Sequence, residues 1–521
     1  MTENHESENQ TNPVVNPAVD PSIRSEVGAK TPEWVKDAIF YQIFPDRFAR
    51  SSRVPKPSNI ESWDTPPTTY GYKAGDLLGI AENIDYLADL GITALYLNPI
   101  FASAANHRYH THDYFEVDPI LGGQPALRKL LDVAHTRGIR VILDGVFNHA
   151  SRGFYQFNHA LENGAASPYI DWFYYHGFPV QAYGSDQPNY AAWWGLPALP
   201  KFNTNTPAVR EFLWSVASYW LELGIDGWRL DVPEEINDDE FWREFRRRVK
   251  TVNPEAYICG EIWTDARRWL QGDQFDSVMN YLFTRACLSF FVRQLDMSTI
   301  QGTGYAGRVN TGLDAHSFAA TINELLAMYP TEITAAQLNL LDSHDTARFL
   351  TSAQEDESAL RLATLFQMCY PGAPCVYYGD EIGLSGGKDP ANRGSFPWDR
   401  SKWNEPLLGF FKRAIELRRE YAALRRGSFD PLVAQNKLFV FGRANAEEKL
   451  IIALNAGETT EKLPALPGST YLPEGSILLE QLSTTNSSER QVFRIGPGGV
   501  IENFSLPPRT GIALEVVKLA R

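Results

Sequence analysis

Eight short apolar runs punctuate this chain, and each ends abruptly in polar residues. They are Ile39 to Phe44, Ala94 to Leu97, Val141 to Leu143, Gly227 to Leu230, Tyr257 to Cys259, Ser277 to Met279, Leu338 to Leu341 and Cys375 to Tyr378. Between several of them lie amphipathic stretches such as Gln124 to Arg137 and Pro207 to Leu223, the latter with proline at a plausible first helical turn. Alternating strands and helices are the expected reading. Eight strand–helix units spell a closed barrel, so the fold class is α/β, a (β/α)8 TIM barrel. In such a barrel the functional groups sit at the C-terminal ends of the strands and in the loops that follow.

Two departures from the repeating pattern set the domain plan. After the third run about 55 residues, 150–205, intervene before the next clear helix, far more than an ordinary connection, and a small inserted domain is expected there. The barrel then occupies 32–149 and 206–424. Beyond Leu424 the pattern changes to alternating short runs such as KLFVFGR and KLIIALN with turn residues between them. This predicts an antiparallel β-sandwich over 425–521. At the other end, residues 1–31 are polar and rich in Pro and Asn, too poor in apolar area to offset the entropy of ordering, and should form a loose tail.

Composition excludes several functions. With 48 Lys plus Arg against 63 Asp plus Glu the net charge is −15, so nucleic-acid phosphates are not expected partners. The longest chargeless stretch, Leu362 to Gly379, is broken by Pro371, Gly372 and Pro374, which excludes a lipid-exposed spanning helix, and no membrane partner is expected. The N-terminal segment has neither the basic start nor the apolar run of a secretory signal, so a cytoplasmic location is expected. Cys259, Cys287, Cys369 and Cys375 lie in apolar segments without metal-ligand spacing, as reduced buried thiols do, so neither a disulfide nor zinc is expected. Among the 13 Trp, 23 Tyr and 29 Phe, most fill the core, but the pair Trp193-Trp194 beside Tyr190 exceeds what patterning requires. Exposed, such clusters suit sugar rings.

Three carboxylates stand at or just past three different strand ends: Asp231 in GWRLDVPEE, Glu261 in YICGEIW and Asp345 in LLDSHDTARF. One carboxylate can attack an acetal carbon, a second, kept protonated, can donate to the leaving oxygen, and a third can stabilise the cationic transition state. Taken singly, each is as readily a structural acid; together they point to glycosidic cleavage. Arg229 lies two residues before Asp231 and so on the same strand face, where its charge would keep a nucleophile ionised. His149 in DGVFNH and His344 in DSHD supply neutral donors suited to sugar hydroxyls.

These segments form a pattern. DGVFNH (144–149), GWRLD (227–231), GEIW (260–263) and DSHD (342–345) resemble the four ordered motifs of the α-amylase superfamily, glycoside hydrolase family 13. AIFYQIFPDRF, FDSVMNY and VYYGDEIG extend the resemblance from about Pro32 to the chain end. It implies a catalytic barrel, a domain inserted after strand three and a C-terminal β-domain. It also implies Asp231 as nucleophile, Glu261 as general acid/base and Asp345 as transition-state stabiliser. LPKFN (199–203) is similar to the MPKLN signature of the cyclomaltodextrinase, neopullulanase and maltogenic amylase group. DPANRGSFPWD resembles that group's DPDCRRPMPWD at Asp389 and Arg393, which in relatives hold the sugar one place beyond the cleavage-site glucose. Tyr109, in NHRYHTHDY, matches the group's ring-stacking tyrosine, and His107 shares its motif. Trp263 and Glu235 match positions lining the leaving-group side.

Four departures qualify the resemblance. Relatives carry a β-domain of more than about a hundred residues before the barrel that caps the neighbouring subunit's site, whereas only about thirty precede AIFYQIF here. A more open cleft is expected, with room for longer or branched chains, and either a monomer or a dimer not mediated by such a domain. Arg50 to Lys56 stands where many relatives have an Asn- and Asp-rich calcium loop, while Asp76 survives. Basic residues oppose a hard dication, which leaves calcium doubtful, and no cofactor is expected. Glu234 replaces the group's usual Asn, and Thr264 follows Trp263 where His is common.

The expected activity is therefore that of a retaining hydrolase of α-glucan oligosaccharides, with the Asp231 and Glu261 carboxyls about 5–5.5 Å apart. The open cleft tips the expectation toward debranching at α-1,6 points. The alternatives are cyclomaltodextrinase or neopullulanase action on α-1,4 bonds, or transglycosylation by the same residues. A non-catalytic glucan-binding barrel would have lost a catalytic carboxylate, and all three are present. A metal-dependent hydrolase is weaker still, because His107, His110 and His112 lack a complete ligand set.

Overall fold

The computed structural model describes residues 30–184, 187–304, 308–466, 469–485 and 490–518. The expected tail thus lies outside the described residues except for Lys30 and Thr31. Thr31 is buried, and its hydroxyl donates to Glu332 Oε1 at 2.8 Å. No helix among the described residues is long and apolar enough to cross a membrane.

Ten strands come first: β1 (Phe40–Ile43), β2 (Ala94–Leu97), β3 (Phe101–Ser103), β4 (Thr111–Val117), β5 (Arg140–Gly145), β6 (Gly227–Leu230), β7 (Tyr257–Gly260), β8 (Ser277–Val278), β9 (Leu338–Leu340) and β10 (Ala373–Tyr377). All but β3 and β4 belong to one sheet, in the order β8-β7-β6-β5-β2-β1-β10-β9, with every pairing parallel. A parallel bridge between Met279 and Leu338 joins its two ends, so the sheet closes into the (β/α)8 barrel. The eight apolar runs are the eight barrel strands. They are buried because helices cover the sheet's outer face, as parallel crossovers require. Pro207–Leu223 begins with proline in its first turn, and Asp238 caps Asp239–Val252 by accepting from the Phe241 amide at 3.0 Å. Gly227 opens β6 because a Cβ there would lie 2.2 Å from the Tyr257 carbonyl oxygen on β7.

Strands β3 and β4 form a separate antiparallel hairpin directly after β2, and its connecting loop holds His107 and Tyr109 over the barrel mouth. The stretch 150–205 contains the helix Tyr155–Asn163, several 3-10 turns and isolated bridges such as His149–Lys201 and Phe173–Phe202. Its apolar residues Phe154, Phe157, Phe173, Tyr190 and Phe202 pack into the same core cluster as the barrel. The insertion is therefore welded to the barrel rather than independently cored.

The C-terminal strands are β11 (Ser428–Gln435), β12 (Leu438–Ala444), β13 (Lys449–Asn455), β14 (Ile477–Ser483), β15 (Val492–Arg494) and β16 (Thr510–Val517). They form one antiparallel sheet in the order β11-β12-β13-β16-β14-β15. Period-two alternation splits its faces. Phe439, Phe441 and Ile452 join the barrel core, whereas Leu438, Val440 and Ile451 join a second core. Loop residues such as Leu463, Leu472 and Phe504 complete that outer layer, where the sequence led us to expect a second sheet. At the junction Arg418 and Arg443 are buried. Arg418 Nη1 donates to the Met368 and Tyr370 carbonyls at 2.8 and 3.0 Å, and Arg443 Nε donates to Ser428 O at 2.6 Å. Paired this way, the guanidiniums meet backbone oxygens that would otherwise be unsatisfied. All four cysteines are buried and free.

Candidate active site

Sheet register assembles the centre. Asp144 on β5 is directly opposite Arg229 on β6, and side chains in register share a face. Arg229 is fully buried and its guanidinium binds Asp144 Oδ1 at 2.9 Å and Asp231 Oδ1 at 3.0 Å through Nη1. Through Nη2 it binds Glu261 Oε2 at 2.8 Å, with Asp345 Oδ2 at 3.9 Å. The sequence paired Arg229 with Asp231 alone; in the structure it is shared by four carboxylates, because four strand ends converge on it.

The charge balance follows. Four acids face Arg229 and, at 3.7 Å from Asp345, Arg393. Burial and the neighbouring like charges therefore work against ionisation of Asp144, Asp231 and Asp345. Burial, against the pull of Arg229, raises the Asp231 carboxyl well above the usual range, with Glu261 and Asp144 adding to the rise. Burial and the neighbouring Glu261 push Asp345 up to about 7, and burial raises Asp144. Arg229 pulls Asp231 back toward ionisation against that burial.

Glu261 is held from two sides. Its Oε1 accepts from Trp263 Nε1 at 3.2 Å and its Oε2 from the Val232 amide at 3.1 Å. Val232 is a β-branched residue at φ 35°, ψ 52°, a conformation such side chains resist. The strained residue follows Asp231 directly and turns its N–H toward Glu261. The strain thus serves the geometry of the pair. Trp263 is fixed in turn by stacking flat on Tyr281, with ring centroids 3.6 Å apart.

Tyr109 lies on the other flank, parallel to His344 with centroids 5.6 Å apart. Its hydroxyl donates to Asp144 Oδ2 at 2.8 Å and meets His344 Nε2 at 2.6 Å. Gln42 Nε2 donates to His344 Nδ1 at 2.8 Å, so the imidazole proton is on Nε2, which also faces Asp345 Oδ2 at 3.1 Å. Burial lowers His344 well below the ordinary histidine value and His149 to about 3, so both are neutral donors at neutral pH. His107 accepts from the Tyr109 amide at 3.2 Å and packs edge-on against His110. Arg393 reaches Asp389 at 3.1 Å and donates from Nε to the His344 carbonyl at 3.0 Å.

Two expected site residues stand apart from this network. His149 stacks on Trp193, and Trp193 on the exposed Trp194 at 4.5 Å; His149 Nε2 has no hydrogen-bond partner among the described residues. The stack forms a flat path from the site to solvent. Glu235 is exposed and pairs with Lys201 at 3.0 Å, tying the insertion to the loop after β6. Beside it, burial raises Glu234 to about 7. The sequence reading had no role for Asp144, Gln42 or Tyr281. Asp144 directly follows an apolar run, a signal equal to that of Asp231, whereas the packing of Gln42 and Tyr281 leaves no local trace.

Strand-end carboxylates around a buried arginine, flanked by aromatic platforms, define a glycoside-cleaving barrel. The family model "Alpha amylase, catalytic domain" matches residues 42–405, and the chain belongs to the α-amylase family of glycoside hydrolases. It is 44% identical to a cyclomaltodextrinase of a Bacillus species over 441 residues, 84% of this chain and 76% of that one. The crystal structure of Ttha1563 from Thermus thermophilus aligns with a TM-score of 0.87 at 47% identity, covering 93% of this chain and all of that one. The debranching enzyme from Nostoc punctiforme aligns with a TM-score of 0.81 at 45% identity, over 93% of this chain and 99% of that one.

Proposed function

We propose that this chain is a retaining α-glucan hydrolase that opens α-1,6 branch points of maltooligosaccharides. Glu261 protonates the glycosidic oxygen as Asp231 attacks the anomeric carbon, giving a β-glucosyl ester on Asp231. Glu261, now a carboxylate, takes a proton from water, whose oxygen attacks the same anomeric carbon from the opposite face and displaces Asp231 as a carboxylate, with net retention. Asp345 and Arg393 bracket the sugar, and Tyr109 offers its ring as a floor. The observation that carries the mechanism is the attachment of Asp231 and Glu261 to the two ends of one guanidinium. The α-1,6 preference rests on likeness to the Nostoc punctiforme debranching enzyme over 99% of that chain.

The Bacillus cyclomaltodextrinase supports a second reading, α-1,4 cleavage of cyclic and linear maltooligosaccharides. Product analysis on a branched maltooligosaccharide, a linear one and β-cyclodextrin separates the two. Linear chains released from the branched substrate alone are expected; maltose and glucose from the cyclic or linear substrate would replace that reading with the second. Calcium does not fit the Asp76 position. The Lys56 ammonium sits 2.6 Å from Asp76 Oδ2, the Ser51 amide donates to the same oxygen at 2.8 Å, and the Gly79 amide donates to Oδ1 at 2.6 Å. An ammonium there repels a dication and consumes the charge that would hold it.

A further inference from the structure

The Asp389–Arg393 turn has two sides. On one, Arg393 reaches Asp345 in the catalytic centre. On the other, Ala391 and the following Gly394 and Ser395 wall a surface pocket of about 600 Å³, a volume typical of small-molecule sites. Nothing in the catalytic network described above uses this pocket.

Its lining has a definite chemistry. Trp63 presents an indole held in place by its Nε1 bond to Phe396 O at 2.9 Å and by the Arg50 guanidinium 5.1 Å from its ring centroid. Lys402, the one cation in the wall among the described residues, is committed to Asp64 at 2.8 Å, so none of those residues offers a free positive charge to an anionic ligand. Glu355 accepts from Ser385 at 2.8 Å and keeps acceptor capacity to spare. Ser395 Oγ is buried with no hydrogen-bond partner among the described residues. A fixed aromatic plane and a carboxylate with acceptor capacity, without free positive charge, suit a neutral ligand with an apolar face and a rim of hydroxyls.

We propose that this pocket is a second carbohydrate site, which holds a segment of α-glucan other than the one being cleaved. The identity of the sugar rests on the α-glucan reading above; the existence of the site rests on the pocket. Bound there, a branch or a neighbouring chain packs against the turn that carries Asp389 and Arg393, so a branched substrate is gripped at two points.

Equilibrium dialysis of maltotriose against the full chain carrying Asp231→Asn, which cannot consume the ligand, counts the sites. Two per chain are expected. Trp63→Ala, added to that background, should reduce the count to one. Gly387→Trp should do the same by filling the pocket, because a Cβ at Gly387 meets no atom within 4 Å and the new ring has room to enter. A single site in the Asp231→Asn chain, or two sites persisting in both pocket variants, overturns the proposal. Should the Asp231→Asn chain bind no maltotriose and the unmodified enzyme cleave no α-glucan, the substrate reading itself falls. Cleavage by the unmodified enzyme with only one site counted overturns the pocket alone.

Discussion

Two buried arginines stand at the C-terminal ends of the barrel strands, each among carboxylates, and we assign catalysis to the surroundings of only one of them. Arg348 binds Asp380 at 2.8 Å, lies over Tyr377 and Tyr378 at 4.4 and 5.0 Å, and is fully buried. Asp342 completes that cluster, accepting from the Phe349 amide at 2.6 Å, and burial raises both acids so that they share a proton. Arg229 has four acids instead of two, and Asp345 beside it keeps about 30% of its side chain exposed. The Arg348 cluster is sealed by tyrosine rings and ties the loops after β9 and β10 together. The Arg229 cluster gathers four acids on one guanidinium and opens on the cleft, where a developing sugar cation can meet it. Chemically similar parts become a strut or a reaction centre according to access and charge balance.

Substitutions divide the two clusters sharply. Asp231→Asn should lower kcat by at least about 10⁴-fold, as removal of a covalent nucleophile does, while the melting temperature holds or rises. Steady-state rates and a thermal melt on the same preparation check this; a variant within tenfold of the parent would remove Asp231 from the nucleophile's role. Arg348→Met should do the reverse. It leaves Asp342 and Asp380 buried without their cation, at a cost of about 3–5 kcal/mol measured by urea unfolding. Its kcat per folded molecule should fall far less than that of Asp231→Asn. A loss below about 1 kcal/mol would show that the cluster is no strut.

The sequence does not draw this division by position. Asp144, Asp231 and Asp342 each directly follow an apolar run, and Glu261 and Asp380 come two residues after one. A rule that reads residues just past strands therefore finds the reaction centre and the strut together. The tetrapeptide DSHD even feeds both, Asp342 to Arg348 and Asp345 to Arg229. What separates them is the partner arginine and the rings above it, which come from other elements. Strands were legible because burial on both faces demands short, mostly apolar runs. The β3–β4 hairpin was not, because β3 has only three residues and the seven of β4 interleave polar, partly exposed residues with apolar ones rather than forming an apolar run. Tyr281 opens an apolar helix, and its stacking on Trp263 arises only when β7 and β8 come side by side.

The finest cut falls within the Arg229 cluster and uses pH. Asp345 titrates at about 7 in the folded chain, raised by burial and by Glu261, whereas an unfolded aspartate titrates near 4. Between those values the folded state holds a proton that the unfolded state has lost, so stability falls as pH rises through this window. Below about pH 4 both states are protonated and the difference vanishes. Asp345→Asn keeps the shape and removes the charge. It should therefore raise stability at pH 8 and change it little at pH 4, even as it disables catalysis. Because the carboxylate opens on the cleft, water screens part of the repulsion, and the gain should be about 1 kcal/mol. Melts at the two pH values check the sign. An equal shift at both would trace the effect to packing rather than charge, and destabilisation at pH 8 would mean that Arg229 and Arg393 already balance the cluster.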